Sequence, residues 1–424
     1  MKNNFPRRFR RLYEEVLLSN TFSLFVGWII TVALPFIAFW SYEQLISPNN
    51  GQKNALIATS IAYFFSAAGT NRLRNIYPGG RSAAFILPQV VLVYGLIALI
   101  TFMLRLEISR FLLIASGATA LIWLYIEYTL TEKYKRLKLA IIPGNKYTEE
   151  ISQLKLVDAR VLKTLSLEGR RYDSVVADFE SIDENTQRFL TQCALHRTAV
   201  YDAKQIYESL TGKVKIHRMS ENNMGALLPS PGYERLKFFI DILIVLATLP
   251  VVLVIGLITA ILIKIESPGP AIYTQTRIGQ GNKPFTIYKF RSMRFDRLAS
   301  EQFAGENDPR ITKIGKIIRK LRIDELPQFF NILKGEMSLI GPRPEQPSFV
   351  NEYDKKIPFY SYRHIVKPGI SGWAQVRQGY TASADETQVK IEHDFYYIKN
   401  CSLSLDLIIA ILTIRIMITG FGAR

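Results

Sequence analysis

Four stretches of this 424-residue chain contain no charged side chain and consist mostly of apolar residues: 21–42, 54–71, 82–104 and 111–126. A helix that crosses a bilayer needs about 20 mostly apolar residues, which the first and third stretches supply, and flanking residues that reach the interface extend the tolerance to the other two. The sequence therefore predicts four transmembrane helices within residues 1–132. A signal peptide, the alternative for the first stretch, has a shorter apolar region and a small-residue cleavage site, which does not follow here.

Basic residues set the expected orientation of these helices. The chain carries 53 Lys and Arg against 36 Asp and Glu, a formal net charge of +17. Loops on the cytoplasmic side of a membrane are enriched in Lys and Arg. Around the four stretches, the first loop has only Lys53, and the third has Arg105 and Arg110. The other basic residues near the stretches precede the first, separate the second from the third, or follow the fourth: Lys2, Arg7, Arg8, Arg10, Arg11, Arg72, Arg74, Arg81, Lys133, Lys135, Arg136 and Lys138. Both ends of the four-helix block are therefore expected in the cytoplasm.

Cysteine and histidine are too sparse for two other classes of protein. Cys193 and Cys401 are the only cysteines, which excludes a disulfide-stapled secreted scaffold and a thiolate-rich zinc or iron–sulfur site. None of the four histidines is spaced for a helical zinc pair. The composition thus indicates an α-helical membrane protein with α/β elements and a reduced, cytoplasmic portion.

A fifth apolar stretch, 242–263, is flanked by charged residues and contains Pro250. A straight span would place everything after it outside the cell, and hydropathy alone favours that arrangement. A proline inside a helix removes one hydrogen bond and kinks the rod. Because the following segment is rich in Lys and Arg, we expect a re-entrant membrane hairpin over 232–265, broken at Pro250, that enters and leaves by the cytoplasmic face.

The segment 133–231 alternates short apolar strands with helical patterns, as in a small Rossmann-like α/β domain. Strands are predicted at 139–142, 174–178 and 198–201, with a helix at 185–196, and this alternation favours a parallel sheet. The glycine-rich phosphate turn of nucleotide-binding folds is missing, since the turn after the first strand has one glycine where three are needed. A structural or regulatory role is therefore the better interpretation.

Two adjacent carboxylates, Asp324 and Glu325, mark a candidate reactive site in residues 266–424. The sequence Asp324-Glu325-Leu326-Pro327 is typical of a helix start, with Asp324 as the N-cap. The helix dipole would favour the ionised acids, and an ionised aspartate is able to bind a divalent cation or attack phosphorus. A plain capping role is the alternative that the tetrapeptide alone leaves open.

Basic residues near predicted turns and strand ends support a phosphate site around these acids. They are Lys289, Arg291, Arg322 and Arg343, the last between two prolines. Guanidinium groups bind phosphate oxygens in pairs, so four cations, two acids and a divalent metal suit a diphosphate. Binding of anionic lipid headgroups is the alternative for these cations. Nucleic acid is not expected, because the basic residues are spread among membrane segments.

The motifs KFRSM, DELPQ, FNILKG, MSLIGPRP and KPGISGWAQV resemble the bacterial sugar transferase family, the polyprenyl-phosphate phosphoglycosyl transferases with a monotopic catalytic core. The resemblance covers about residues 233–424. The preceding helices and α/β insert resemble the long branch that starts capsule, O-antigen or exopolysaccharide assembly. The resemblance implies a re-entrant-helix phosphoglycosyl transferase domain that moves a sugar 1-phosphate from a UDP-sugar to undecaprenyl phosphate and releases UMP, with Mg²⁺.

The resemblance also implies roles for individual residues. Asp324 would be the nucleophile that forms an aspartyl-phosphosugar intermediate, and Glu325 would hold Mg²⁺. The four cations Lys289, Arg291, Arg322 and Arg343 would contact phosphates, and Asp394 and Asp406 match the family without an assigned role. Two positions depart from the family pattern, since Leu249 replaces a serine before Pro250 and Glu336 replaces an aspartate.

These expectations define four domains: transmembrane (1–132), cytoplasmic α/β (133–231), re-entrant hairpin (232–265) and interfacial catalytic (266–424). The apolar and cationic segments 311–321 and 406–418 fit either an interfacial helix or the core. The expected location is the bacterial inner membrane, with the catalytic domain on its cytoplasmic face; the sequence leaves the oligomeric state open, a homodimer included. The rival interpretations are a non-enzymatic scaffold for polysaccharide assembly and a direct lipid attack without a covalent step.

Overall fold

The computed structural model describes residues 19–76, 86–134, 137–154, 157–167, 169–215, 228–294, 310–378 and 384–419. The chain forms two compact units, Met1–Gly212 and Lys213–Arg424. The basic N-terminal tail and Arg81, on which part of the orientation argument depends, lie outside the described residues.

Helices make up the first part of unit Met1–Gly212. They are α1 (Asn20–Phe39), α2 (Tyr42–Ile46), α3 (Asn50–Ile76), α4 (Ile86–Met103) and α5 (Arg110–Tyr134). Among all the described residues of the chain, four helices are long and apolar enough to cross a membrane. Three of these helices lie in this unit, and they are α1, α4 and most of α5. These helices indicate a membrane protein, and they confirm three of the four predicted spans as candidates.

The second predicted span forms α3, which has 27 residues but is not one of those four helices. Its small and aromatic residues pack inside the helical block, where Ala62, Tyr63 and Ala67 are fully buried. Its hydroxyl groups are satisfied within the helix, since Thr59 and Ser66 donate to carbonyls four residues earlier. The prediction of a span here is not supported, because polar and small residues lower the mean hydropathy of α3, although several of its large apolar side chains remain exposed.

A parallel sheet completes this unit, as predicted. Its strands are β1 (Lys138–Ile141), β2 (Asp158–Val161), β3 (Ser174–Ala177) and β4 (Ala199–Asp202), in the order β2-β1-β3-β4. Three helices connect or follow them: α6 (Lys146–Gln153), α7 (Glu184–Leu195) and α8 (Ala203–Thr211). The edge strand β2 was missed because its sequence, DARV, has no apolar run.

Unit Lys213–Arg424 begins with the long helix α9 (Pro231–Glu266) and continues as a mixture of short elements. The strands are β5 (Ile272–Ile278), β6 (Pro284–Phe290), β7 (Ser338–Ile340) and β8 (Gly369–Ser371), paired as an antiparallel hairpin β5–β6 and a parallel pair β7–β8. The helices are α10 (Lys313–Lys320), α11 (Phe329–Leu333), α12 (Pro347–Lys356), α13 (Trp373–Gln378), α14 (Ala384–Lys399) and α15 (Leu403–Thr419).

The helix α9 is the fourth candidate membrane helix, and it runs through Pro250 as one 36-residue element. The helix therefore continues through Pro250 in its hydrogen bonding, which is compatible with the kink that a proline produces. A proline removes a single N–H donor and displaces one carbonyl. In apolar surroundings every other backbone group still requires its helical partner, which keeps the two halves joined. Whether α9 enters and leaves by one face stays a prediction.

Two glycines allow β7 and β8 to approach closely just before the Pro342-Arg343-Pro344 segment. A Cβ on Gly369 would lie 2.0 Å from the backbone nitrogen of Gly341, and a Cβ on Gly341 would lie 2.4 Å from the carbonyl oxygen of Lys367. These distances leave no room for a side chain, so the backbone itself would have to move.

We expect Gly369→Ala to separate β7 from β8 and lower stability by about 1–3 kcal/mol, as overpacking does. Gly232→Ala is the matched control, because nothing lies within 4 Å of a Cβ there. The melting temperatures of the two purified variants test this prediction. Equal melting temperatures would show that the strand pair tolerates a methyl group.

Candidate active site

The carboxylate of Glu325 is buried and paired with three cations. Its Oε1 lies 2.9 Å from Arg343 Nη1 and 3.4 Å from Lys289 Nζ, and its Oε2 lies 3.3 Å from Arg322 Nη1. Charge-assisted contacts of this kind are stronger than neutral hydrogen bonds. The structure thus brings together Glu325 and three of the four predicted phosphate-binding cations.

The hairpin β5–β6 carries Lys289 to this cluster. In its antiparallel register Lys289 is opposite Tyr273. Two apolar neighbours on β6 are anchored: Ile287 packs with Val245 of α9, and Phe290 packs with Ile263 of the same helix. Alternation of side chains along a strand then turns Lys289 away from Phe290.

The two acids lie in a short 3₁₀ helix, Ile323–Gln328, that precedes α11. Its N-cap is Arg322, with a left-handed φ of 54°, and the cap makes no side-chain hydrogen bond. The prediction that Asp324 is an N-cap is therefore wrong: Asp324 lies one residue inside the turn. A non-glycine residue in the left-handed region is uncommon and is found at constrained sites. Here it places the Arg322 side chain against Glu325, three residues later.

The carboxylate of Asp324 is half-buried and, within the described part of the chain, has no hydrogen bond. Burial, followed by the adjacent Glu325 charge, raises the pKa of Asp324 to about 6. This opposes the expectation from the helix dipole, because a single 3₁₀ turn has few aligned peptides. An acid that is reachable, unbonded and still mostly ionised at neutral pH is suited to act as a nucleophile.

The pKa values of Glu325 and Lys289 are both shifted, and the shifts follow from burial and from the charges around them. Burial alone would raise the pKa of Glu325, but Arg343, Lys289 and Arg322 hold it well below the usual range. Burial and the neighbouring Arg343 lower the pKa of Lys289 to about 8. Glu325 therefore stays ionised and keeps three cations in place next to Asp324.

The backbone of Arg343 is held by a second ion cluster, largely buried, that the sequence did not reveal. Arg363 donates to the carbonyl oxygen of Arg343 at 2.9 Å and to Asp394 Oδ2 at 2.7 Å. Glu345 lies 3.6 Å from Arg277 and also accepts from Lys390. Asp394, which had no assigned role, thus positions Arg343 through Arg363.

The remaining predicted residues lie away from Glu325. The guanidinium of Arg291 is buried and donates to the carbonyl oxygens of Ser267 and Pro268, both at 2.7 Å. This holds the turn after α9, so its predicted phosphate contact has no support in the geometry. Asp406 accepts hydrogen bonds from Tyr233 at 2.7 Å and Lys237 at 2.8 Å. Asp406 thereby ties α15 to the start of α9.

Magnesium would need ligands beyond those that the protein supplies. In the described ranges no group of three His, Cys, Asp or Glu side chains is arranged to hold a metal ion. A carboxylate has about four lone-pair sites, and three contacts already reach Glu325. One free site fits a Mg²⁺ ion that takes its other ligands from water and substrate phosphates.

Comparison with known proteins shows to which family the chain belongs. The bacterial sugar transferase profile matches residues 232–420. The chain is also 46% identical over 429 residues to the UDP-N-acetylgalactosamine-undecaprenyl-phosphate N-acetylgalactosaminephosphotransferase of Aeromonas hydrophila, covering 99% of this chain and 100% of that protein. The chain belongs to the bacterial sugar transferase family.

Other relatives of this sugar transferase match over less than half of the chain. The UDP-glucose:undecaprenyl-phosphate glucose-1-phosphate transferase of Escherichia coli K12 is 42% identical over 178 residues, or 40% of this chain and 38% of that protein. A Bacillus subtilis protein described as a putative undecaprenyl-phosphate N-acetylgalactosaminyl 1-phosphate transferase is 50% identical over 132 residues, or 31% of this chain and 74% of that protein. The family profile, at residues 232–420, lies in the unit that holds the ion clusters.

We expect Asp394→Asn to destabilise the sugar transferase by about 3–5 kcal/mol, because it removes the nearer carboxylate of the buried Arg363 and leaves only Glu345, 4.0 Å away and shared with other cations, to offset its charge. The matched control is Glu352→Gln, which breaks an ion pair to Lys356 whose side chains are about half exposed, at 48% and 58%. Removing an exposed pair costs about 1 kcal/mol or less. Melting temperatures of both variants check the prediction, and similar losses would contradict the buried-pair interpretation.

Proposed function

We propose that this sugar transferase moves a sugar 1-phosphate from a UDP-sugar to undecaprenyl phosphate, giving undecaprenyl-diphosphate-sugar and UMP. The observation that carries the proposal is the half-buried Asp324 next to the buried Glu325, which holds three cations around it. The Aeromonas and Escherichia relatives are both described as transferases that act on undecaprenyl phosphate, which supports the same reaction class.

In the proposed first step, a carboxylate oxygen of Asp324 attacks the phosphorus that bears the sugar. The bond from this phosphorus to the bridging oxygen breaks, and UMP leaves with the electron pair. In the second step, a phosphate oxygen of undecaprenyl phosphate attacks the same phosphorus and releases the carboxylate. Splitting the transfer lets the soluble product leave before the lipid reacts, which suits substrates that arrive from water and from membrane.

Lys289, Arg322 and Arg343 are proposed to contact the diphosphate and stabilise the charge that develops on the transferring group. Preorganised cations in a partly dry site are effective because they need no reorganisation during the reaction. Glu325 keeps them in place and would share Mg²⁺ with the donor's phosphates. When bound, this ion would neutralise phosphate charge.

The re-entrant arrangement of α9 is part of the proposal, and packing supports it. Val245 and Ile263 would be about 27 Å apart along a straight helix. They pack in clusters with Ile287 and Phe290, which lie about 10 Å apart along β6. Both halves of α9 thus pack against one strand, which favours a bend at Pro250 and entry and exit on one face. We place this face in the cytoplasm, at the inner membrane.

The proposed donor is a UDP-N-acetylhexosamine. The Aeromonas relative that matches the full length is described as acting on UDP-N-acetylgalactosamine, whereas the glucose-specific Escherichia relative matches only 40% of this chain. Exopolysaccharide, capsule or O-antigen assembly is the proposed pathway class.

We expect Asp324→Asn to reduce UMP release about a thousandfold or more, as removal of a nucleophile does. Radiolabelled sugar phosphate should be trapped on the wild-type protein in the absence of lipid acceptor, but not on the variant. The variant should keep its melting temperature, because Asp324 has no hydrogen bond in the described part of the chain.

Glu325→Gln is the informative comparison for that experiment. It removes the partner of three cations, so both activity and melting temperature should fall. Asp354→Asn, on an exposed position of α12, should change neither. Full UMP release by Asp324→Asn would favour another nucleophile, no UMP release by the wild-type protein would favour a scaffold, and repeated failure to trap the adduct would favour direct lipid attack.

Membrane topology gives a separate test. In a protein with both native cysteines replaced, single cysteines at Glu234 and Ile265, which are exposed near the two ends of α9, should react with an impermeant maleimide only after spheroplasts are lysed. A transmembrane α9 would instead place one of them outside, so labelling of either cysteine in intact spheroplasts would overturn the re-entrant arrangement.

The donor is tested by measuring UMP release with undecaprenyl phosphate and a panel of UDP-sugars. We expect UDP-N-acetylgalactosamine or UDP-N-acetylglucosamine to give a rate at least about tenfold above UDP-glucose, since a site built to bind an acetamido group rejects a sugar that lacks it. A faster rate with UDP-glucose would exclude the proposed donor while leaving the reaction class intact.

A further inference from the structure

The face of the hairpin β5–β6 that carries Lys289 also carries a glutamine, Gln275. In the antiparallel register Tyr273 lies opposite Lys289 and Gln275 lies opposite Ile287, so these side chains share one face. Gln275 is therefore the diagonal neighbour of Lys289, at a separation of about 7–8 Å. Tyr273 is 43% exposed, so solvent reaches this face next to the two residues.

The orientation of the Gln275 amide is fixed by Arg277. Gln275 Oε1 accepts hydrogen bonds from Arg277 Nε at 3.1 Å and from Arg277 Nη2 at 2.7 Å. A guanidinium has only donors, so the amide oxygen must face Arg277, and the amide cannot turn over without losing both bonds. The Gln275 side chain is half-buried, and its Nε2 has no hydrogen bond within the described residues. The amide thus offers a ligand two N–H donors and no acceptor.

Arg277 is itself attached to the loop that carries Arg343. Its Nη1 donates to the carbonyl oxygen of Pro344, the residue after Arg343, at 3.1 Å. The charge of Arg277 also acts on Lys289, since burial, the neighbouring Arg343 and then Arg277 all lower the pKa of this lysine. Gln275 therefore lies on the strand face between two cations, Lys289 and Arg277.

The charges around Gln275 favour an anionic ligand. The two ion clusters, taken together with Asp324, contain six cations and four acids: Lys289, Arg322, Arg343, Arg277, Arg363 and Lys390, with Asp324, Glu325, Glu345 and Asp394. A neutral oxygen would also accept from an amide, but only an anionic oxygen is attracted by this excess of positive charge as well. The diphosphate of the donor is the anion that the reaction brings to these cations.

We propose that Gln275 donates a hydrogen bond from Nε2 to a phosphate oxygen of the UDP-sugar, next to Lys289. This inference rests on the proposed function and adds a neutral donor to its cations. Arg277 then acts as a positioning residue, because it holds the amide with its N–H groups directed to the ligand. The alternative is a purely structural glutamine that serves only as a hydrogen-bond acceptor for Arg277.

Gln275→Glu separates these two roles. A carboxylate pairs with Arg277 at least as well as an amide oxygen, so the melting temperature should not fall. The same carboxylate has no donor and repels phosphate, so we expect the dissociation constant for UDP to rise about a hundredfold. Gln275→Ala, which only removes the donor, should raise it about tenfold.

Isothermal titration calorimetry of the detergent-solubilised full chain measures these constants. Gln388→Glu, at an exposed position of α14, adds the same charge and should bind UDP like the wild type. Pyrophosphate, which carries neither base nor sugar, should compete with UDP for the wild-type protein and lose affinity to the same extent in Gln275→Glu. If Gln275→Glu melts at a lower temperature, Gln275→Ala answers the same question without an added charge.

Three results would overturn the inference. Wild-type affinity of Gln275→Glu for UDP would leave Gln275 with a structural role alone. Weaker binding of UDP with unchanged binding of pyrophosphate would assign the amide to the base or ribose. Unchanged binding of UDP with slower turnover of the UDP-sugar would assign it to the sugar.

The proposed function is judged separately, by UMP release from the wild-type protein. A wild-type protein that binds UDP through Gln275 but releases no UMP would refute the reaction and retain the phosphate contact. Normal UMP release by a Gln275→Glu protein that binds UDP like the wild type would retain the reaction and refute the contact.

Discussion

One buried carboxylate, Glu325, organises the catalytic unit by holding three cations that would otherwise repel one another. The cations come from three distant parts of the chain: a hairpin strand, a left-handed turn and a loop between two prolines. Bringing them together without an acid would leave buried positive charges unpaired. The neighbouring Asp324 is only half-buried and has no hydrogen bond in the described part of the chain, and its proposed reactive role rests on this difference from Glu325.

The motifs predicted the chemical content of the site but only part of its geometry. Lys289, Arg322 and Arg343 meet at Glu325 as expected, whereas Arg291 points to the carbonyls of Ser267 and Pro268. Arg291 follows the last residue of β6, so strand alternation no longer governs its side chain. The left-handed backbone conformation of Arg322 was also not predictable from the sequence, because an arginine does not require that conformation. Because Arg322 takes the N-cap position, Asp324 lies inside the turn and not at the predicted cap.

Long-range pairing was hidden from the sequence for a different reason. Arg363 and Asp394 are 31 residues apart in separate elements, and each alone is an ordinary charged residue. The parallel sheet and three membrane helices were predictable, since apolar periodicity and length are local signals. α3 was less so, because its uncharged run resembles a span although its polar and small residues lower the mean hydropathy of the helix.

The bond from Tyr233 to Asp406 joins residues 173 positions apart. During translation at about 5–20 residues per second, the start of α9 leaves the ribosome roughly 10–30 s before its acidic partner exists. Lys237 has no Asp406 to pair with until α15 has been synthesised. The contacts that join the two ends of unit Lys213–Arg424 therefore form only at the end of synthesis, so its folding cannot be completed while the chain is still growing.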